Sequence, residues 1–157
     1  QRLTRLPTKS KQEKVDDSTK NTGSSSSTSS SLPSPYIENI DLKKDLIILR
    51  NPSENFCKIG DFVVSNDSGK NSFQIPRHVE IQPHGVLHLH CCAKGLDMVA
   101  LEQGEPYIIW LNKNGKNRMK SVLKENGDKV QLMNPHDSIV AACEKRGIDS
   151  DPVVTIF

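Results

Sequence analysis

The feature that most constrains this chain is a series of short apolar runs separated by turn-forming residues. Eight such runs occupy residues 36–40, 46–49, 61–64, 72–75, 85–90, 107–110, 121–124 and 129–133. The breaks between them are rich in Asn, Asp, Gly and Pro, and two contain Asn-Gly, at Asn114-Gly115 and Asn126-Gly127. This pair favours a tight hairpin turn, because both central residues of such a turn take positive φ. The pattern predicts an all-β fold.

The extent of the runs indicates the type of β fold. They cover residues 36–133, close to the ~100 residues of an immunoglobulin-like β-sandwich. No helical stripe of ten or more residues competes with this interpretation. We therefore predict an immunoglobulin-like β-sandwich over residues 36–134, with Tyr107 and Trp110 in its core.

The residues before this domain differ in composition. Residues 1–35 contain few large apolar side chains and include an unbroken Ser/Thr run at 24–31. Such a segment cannot bury enough surface to offset the entropy of ordering it. It carries six of the 21 Lys and Arg residues but three of the 19 Asp and Glu residues, which leaves the rest of the chain nearly neutral. We predict a disordered, Ser-rich, basic tail or linker.

The residues after the last predicted strand, 135–157, are expected to form a C-terminal tail. Within it, residues 137–146 begin with Asp137, a residue type that often caps helices. A short helix is therefore one prediction for this segment, and a frayed tail is the alternative.

Several function classes lack the residues that their chemistry needs. No run approaches the ~18 consecutive apolar residues of a membrane span. Neither a Gly-x-Ser-x-Gly nucleophile turn nor a Gly-rich phosphate-binding loop occurs. We expect no enzyme activity, no cofactor and no small-molecule substrate.

The four cysteines indicate the redox compartment. Cys91 and Cys92 are adjacent, so on a strand they point to opposite faces and cannot share one partner site. Their spacing favours free thiols over a disulfide framework. We expect an intracellular protein.

The segment around His88, His90 and Cys92 is the candidate metal site. Residues two apart on a strand share a face, so these side chains could chelate a metal together. The same alternation supports a simpler interpretation, in which Leu87 and Leu89 face the core and the histidines face solvent. We predict no bound metal and keep the three residues as the candidate ligands.

A basic cluster lies around the Asn114-Gly115 turn. Its members, which fall within twelve residues, are Lys113, Lys116, Arg118, Lys120 and Lys124. If residues 121–124 form a strand, Arg118, Lys120 and Lys124 share one face and could contact phosphates or an acidic partner. A solvated outer face is the alternative, because aromatic residues for base stacking are not interleaved.

Several segments, taken in order, carry a resemblance to a known family. They are Leu-Ile-Ile-Leu-Arg-Asn-Pro-Ser at 46–53, Ile-Gly-Asp-Phe at 59–62, Phe-Gln-Ile-Pro at 73–76, Ile-Gln-Pro-His-Gly-Val at 81–86, Pro-Tyr-Ile-Ile-Trp at 106–110 and the segment 121–133. Together they resemble the lamin tail domain, the immunoglobulin-like module of nuclear lamins, over about residues 36–133. In this pattern the side chains of Asn51 and Ser53 are expected to form hydrogen bonds with the backbone in a turn. Gly60 is expected to permit a tight turn before Phe62, and Phe62 to fill the core.

Three features separate this chain from a full lamin. Lamins usually carry Trp where this chain has Phe62, and Arg where it has Gln74. No heptad pattern of a filament-forming rod precedes the domain, so the chain is more similar to a lamin tail domain-containing protein, a class related to intermediate filament proteins.

The resemblance implies a non-enzymatic structural module that binds proteins, and possible partners are lamina or envelope components and chromatin or DNA. The implied location is the nuclear envelope or lamina, with the cytoplasm as the alternative, and the isolated domain is expected to be monomeric. Direct nucleic-acid binding through the basic cluster is the second functional hypothesis.

Overall fold

The computed structural model describes residues 33–66 and 69–157. The predicted tail lies almost entirely outside this range, so its disorder stays a prediction. The strands of the described residues are β1 (Tyr36–Asp41), β2 (Leu46–Arg50), β3 (Cys57–Lys58), β4 (Val63–Asn66), β5 (Ser72–Gln74), β6 (Glu80–Ile81), β7 (Val86–His90), β8 (Tyr107–Ile109), β9 (Asp128–Met133), β10 (Ile139–Lys145) and β11 (Val153–Ile156). A short helix, α1 (Met98–Gln103), precedes β8. The all-β prediction is therefore confirmed.

The strands form two larger sheets and one small one. The five-stranded sheet has the order β11-β10-β9-β4-β5 and is antiparallel throughout. The four-stranded sheet has the order β1-β2-β7-β8, in which only the β7–β8 pair is parallel. Strands β3 and β6 form a separate antiparallel pair.

The two larger sheets contribute to one hydrophobic core. Ile47 and Leu89 come from the four-stranded sheet, and Val64 and Leu132 come from the five-stranded sheet. Their apolar faces are removed from water, which is the main favourable term in folding. The alternation that places Leu87 and Leu89 in the core is confirmed.

The aromatic residues of the 107–110 run have different positions. Trp110 is buried, as predicted, and its ring stacks on Phe73 with centroids 5.5 Å apart. Tyr107 is only half-buried and does not belong to the core cluster. In the β7–β8 register it lies beside His88, outside the core.

Seven of the eight predicted runs overlap a strand, and residues 121–124 do not. The reason is a buried carboxylate in the β1–β2 turn. Asp45 accepts hydrogen bonds from the backbone N–H groups of Val122, at 3.0 and 3.2 Å, and Leu123, at 2.7 Å. These N–H groups therefore bond to a side chain and not to a neighbouring strand. Burial raises the pKa of Asp45, and the two backbone donors oppose that rise.

The helix predicted for residues 137–146 is wrong, and the domain boundary at 134 is too early. This segment contains β10, which lies between β9 and β11. Asp137 is not a helix cap but has φ 65° in the turn between β9 and β10. That turn is closed by Asn134, whose side chain accepts from the N–H groups of His136 and Ser138. Ala141 and Cys143 of β10 complete the core.

The expectation for Asn51 and Ser53 is confirmed. Asn51 has no exposed surface, and its Nδ2 donates to the carbonyl oxygens of Asn55 at 2.8 Å, Ile81 at 3.1 Å and Gln82 at 3.0 Å. Its Oδ1 accepts from the N–H of Ser53 at 2.9 Å. One side chain thus joins the end of β2 to its own loop, to the end of β6 and to the residue that follows β6.

Gly60 lies where two backbone segments meet. A Cβ at this position would be 2.0 Å from the carbonyl oxygen of Arg77. The neighbouring backbone bonds, from Ile59 N to Val79 O at 3.1 Å and from Asp61 N to Ile75 O at 2.8 Å, hold the segments at this distance. The close approach therefore requires glycine. Phe62, two residues later, packs against the core with a partly buried side chain, so it fills the core only in part.

We expect Gly60→Ala to lower the free energy of unfolding by ~1–3 kcal/mol or more, because the added methyl group must displace backbone. The control is Gly104→Ala at the end of α1, where the nearest atom to a new Cβ is 3.4 Å away. That exchange should stay within ~0.5 kcal/mol of the wild type. Urea unfolding of both variants measures the difference, and equal stabilities would contradict the close approach.

Candidate functional site

The loop that carries the basic cluster begins with a tight turn. The side chain of Asn112 accepts from the N–H groups of Asn114 at 2.9 Å and Lys116 at 3.1 Å. Gly115 has φ 76°, and its N–H donates to the Asn112 carbonyl oxygen at 3.0 Å. A turn is present at Asn114-Gly115, as predicted, but Gly115 alone of the pair has positive φ, so it is not the expected hairpin turn with two positive-φ residues. It holds the side chains of Lys113 and Lys116 in an exposed position.

Arg118 is tied to its own loop. Its Nε donates to the carbonyl oxygen of Lys120 at 2.8 Å, and a terminal nitrogen lies 3.5 Å from the carbonyl oxygen of Ser121. Its backbone also joins two segments, because its N–H donates to Trp110 O and its carbonyl oxygen accepts from Ala93 N. Part of the donor capacity of Arg118 is therefore used inside the protein, which leaves less for an anionic partner.

The structure does not bring the five basic residues into one site. Lys113 and Arg118 line a shallow cleft with Lys70 and Trp110. Lys124 lines a different cleft, and Lys116 and Lys120 line neither of the two. The shared face predicted for Arg118, Lys120 and Lys124 required a strand at 121–124, and that strand is not formed.

The cleft at Lys124 contains cations that sequence reasoning missed. Its charged lining residues are Lys124, Lys129, Lys145, Arg146, Asp128 and Glu144. Four cations thus face two acids. The register of β9 and β10 assembles them, since Asp128 lies opposite Lys145 and Lys129 lies opposite Glu144. The Asn126-Gly127 turn was visible in the sequence, but the second half of the cleft lies on a strand that was predicted as tail.

The candidate metal ligands are more buried than the sequence predicted. His88 is half-buried, but His90 is only 8% exposed, so the prediction that both face solvent is wrong for His90. Strand β7 is an inner strand, and His90 lies opposite Leu46 of β2 and beside Ile109 of β8. Neither ring nitrogen of His90 has a hydrogen-bond partner among the described residues.

The geometry does not assemble a three-ligand metal site. The ring centroids of His88 and His90 are 6.3 Å apart, and the Cys92 sulfur accepts from the N–H of Lys94 at 3.4 Å. Within residues 33–66 and 69–157, no group of three or more His, Cys, Asp or Glu side chains is placed to hold a metal ion.

The four cysteines are free, as predicted. Burial raises the pKa of the Cys143 thiol to about 11 and raises that of Cys91 well above its ordinary value. Because the thiolate is the nucleophile and the metal-binding form, these two residues act as small apolar core residues.

No protein-family model matches this chain, and no curated protein matches it either. Among the described residues, no helix is long and apolar enough to cross a membrane.

The buried histidine predicts a pH dependence of stability. Burial, and secondly the charge of His88, lower the pKa of His90 below its ordinary value of 6.5. A lowered pKa means that the unfolded chain binds a proton more readily than the folded chain. Above pH 6.5 the ring is neutral in both states and costs no stability. As the pH falls from 6.5 through the lowered pKa of the folded state, the free energy of unfolding decreases.

We expect His90→Leu to remove this component, so that between pH 7.5 and pH 5 the variant loses less stability than the wild type. Leucine suits the position because the residues paired with it on the two flanking strands, Leu46 and Ile109, are apolar. Urea unfolding at a series of pH values measures the effect. His136→Gln, at an exposed turn, should keep the wild-type profile, and identical profiles for all three proteins would rule out this role for His90.

Proposed function

We propose that this chain is a non-enzymatic protein-interaction module with an immunoglobulin-like sandwich of the lamin tail type. The observation that carries the proposal is that the residues on which the resemblance depends hold separate parts of the fold together. Asn51 and Ser53 bond backbone at the end of β2, Gly60 contacts the Arg77 backbone, and Trp110 stacks on Phe73. The residues that carry the resemblance are therefore residues whose contacts join separate segments of the chain.

The surface supports binding of proteins by sheet faces and loops. On the outer face of the four-stranded sheet, Arg50 forms an ion pair with Glu38 and donates to the carbonyl oxygen of His84 at 2.7 Å. These groups line a shallow cleft with His88 and Glu105. A polar cleft of this kind suits the rim of a protein interface, which is polar and solvent-accessible.

The proposed partners are proteins of the nuclear lamina or envelope, with the nucleus as the location and the cytoplasm as the alternative. The resemblance alone carries this part of the proposal. In this role the domain organises or recruits other proteins and needs neither a cofactor nor a small-molecule substrate.

Direct nucleic-acid binding is the second candidate. The observation that favours it is the pair of clefts lined by cations, one at Lys113 and Arg118 and one at Lys124 and Lys145. Phosphate contacts by such side chains do not require base stacking. Binding of this kind weakens steeply with salt, with a log-log slope of about −0.9 per phosphate contacted.

One capture experiment separates the two candidates. The full chain is used as bait in nuclear and cytoplasmic extracts, with and without nuclease, at two salt concentrations, and bound proteins are identified by mass spectrometry. We expect nuclease-resistant capture of lamina or envelope proteins that also bind the chain after purification. Capture that disappears with nuclease or modest salt would contradict the first proposal and support the second.

Matched charge variants sharpen this test. Lys113→Glu with Lys116→Glu reverses two exposed side chains of the turn, and Lys43→Glu with Lys44→Glu makes the same charge change in the β1–β2 turn. Loss of DNA binding in the first pair alone would favour the nucleic-acid candidate. Equal binding by both variants and the wild type would exclude the Lys113–Lys116 turn as a contact.

A further inference from the structure

The four edges of the two larger sheets differ in their protection against pairing with another strand. Strand β1 contains a bulge between Ile37 and Asn39 and carries Glu38 and Asp41, and β5 and β8 are only three residues long. Bulges, charges and short length are the usual means of blocking an edge. Strand β11, Val153–Ile156, is also short, with four residues, but it carries no charge and has no bulge in its pairing with β10.

Apolar side chains of β11, and of the residue that follows it, are largely exposed to solvent. Val153 is 60%, Ile156 58% and the following Phe157 72% exposed. Val, Ile and Thr are strong strand formers. An uncharged, apolar, exposed edge of this kind is a template for another strand.

The direction of the free backbone groups follows from one hydrogen bond. The N–H of Phe157 donates to the Val140 carbonyl oxygen at 3.0 Å, so residue 157 points its backbone groups toward β10. In an antiparallel pair these directions alternate along the strand. The N–H and C=O groups of Thr155 therefore also face β10, and those of Val154 and Ile156 face the open edge.

We propose that β11 pairs antiparallel with β11 of a second copy of this chain, around a two-fold axis at Thr155. Val154 of one copy then exchanges two hydrogen bonds with Ile156 of the other, and the symmetry repeats this pair, which gives four bonds in total. The two Thr155 side chains face each other across the axis, and Val153 lies opposite Phe157 of the second copy. The two five-stranded sheets become one continuous sheet.

A second copy suits this edge because the strand is complementary to itself. No charge lies between Val153 and Phe157, so antiparallel pairing of two copies brings no like charges together. Thr opposite Thr, and an aromatic residue opposite a β-branched residue, are favourable cross-strand pairs. A symmetric dimer is also the commonest closed assembly. This inference revises the expectation of a monomer and needs no other partner, so it is independent of the proposed function.

The test is sedimentation of the full chain over a wide range of concentrations, with charge variants at the axis. The wild type should form a dimer as concentration rises. Thr155→Lys and Thr155→Glu should each be monomeric at the same concentrations, because each places two like charges face to face. An equimolar mixture of the two variants should regain the dimer.

The control is Ser72→Lys, an exposed position on β5 at the opposite edge of the same sheet, which should dimerise like the wild type. As a measurement independent of substitutions, amide exchange at Val154 and Ile156 should slow as concentration rises. A wild type that stays monomeric, a mixture that stays monomeric, or a dimer lost equally in Ser72→Lys would overturn the proposal.

Discussion

The side-chain amide of Asn51 is the interaction on which the arrangement of this domain most depends. Its two N–H groups face three backbone carbonyl oxygens, so one hydrogen is shared between two acceptors. The acceptors belong to residues 55, 81 and 82, which no regular strand pairing connects to residue 51. Two backbone hydrogen bonds, from Asn51 N to Gly85 O and from His84 N to Ser53 O, also join the loop after β2 to the entry to β7. Because an unpaired buried polar group costs about 1–3 kcal/mol, losing the amide would leave its carbonyl partners unsatisfied and weaken this junction.

Two other contacts also join irregular segments through a single residue. The carboxylate of Asp45 binds the N–H groups of Val122 and Leu123, 77 and 78 residues away in the sequence. The absence of a side chain at Gly60 lets the Arg77 backbone approach. Together they fix loops that have no strand partners of their own, and this leaves the sheet faces and the β11 edge available for other molecules.

The sequence predicted the strands well where apolar residues alternate and turns are marked by Gly or Asn. It failed where the outcome depends on contacts that no local pattern shows. Residues 121–124 have the composition of a strand, but Asp45 takes their N–H groups, and no local pattern reveals this. Asp137 resembles a helix cap, yet Asn134 closes a hairpin turn around it. His90 alternates with leucines like an exposed residue, but the rings of Tyr107 and His88 lie beside it. The cation cleft at Lys124 was missed for the same reason, since β10 supplies half of it.

The most direct test of the central role of Asn51 is the free energy of unfolding of Asn51→Asp compared with Asn55→Asp. Both exchanges make the same chemical change in the same loop, but Asn51 is buried and the side chain of Asn55 is exposed. Replacing the amide by a carboxyl group removes the donors to three carbonyl oxygens, so we expect Asn51→Asp to lose ~3 kcal/mol or more. Asn55→Asp should stay within ~0.5 kcal/mol of the wild type. Equal stabilities of the two variants would contradict the account.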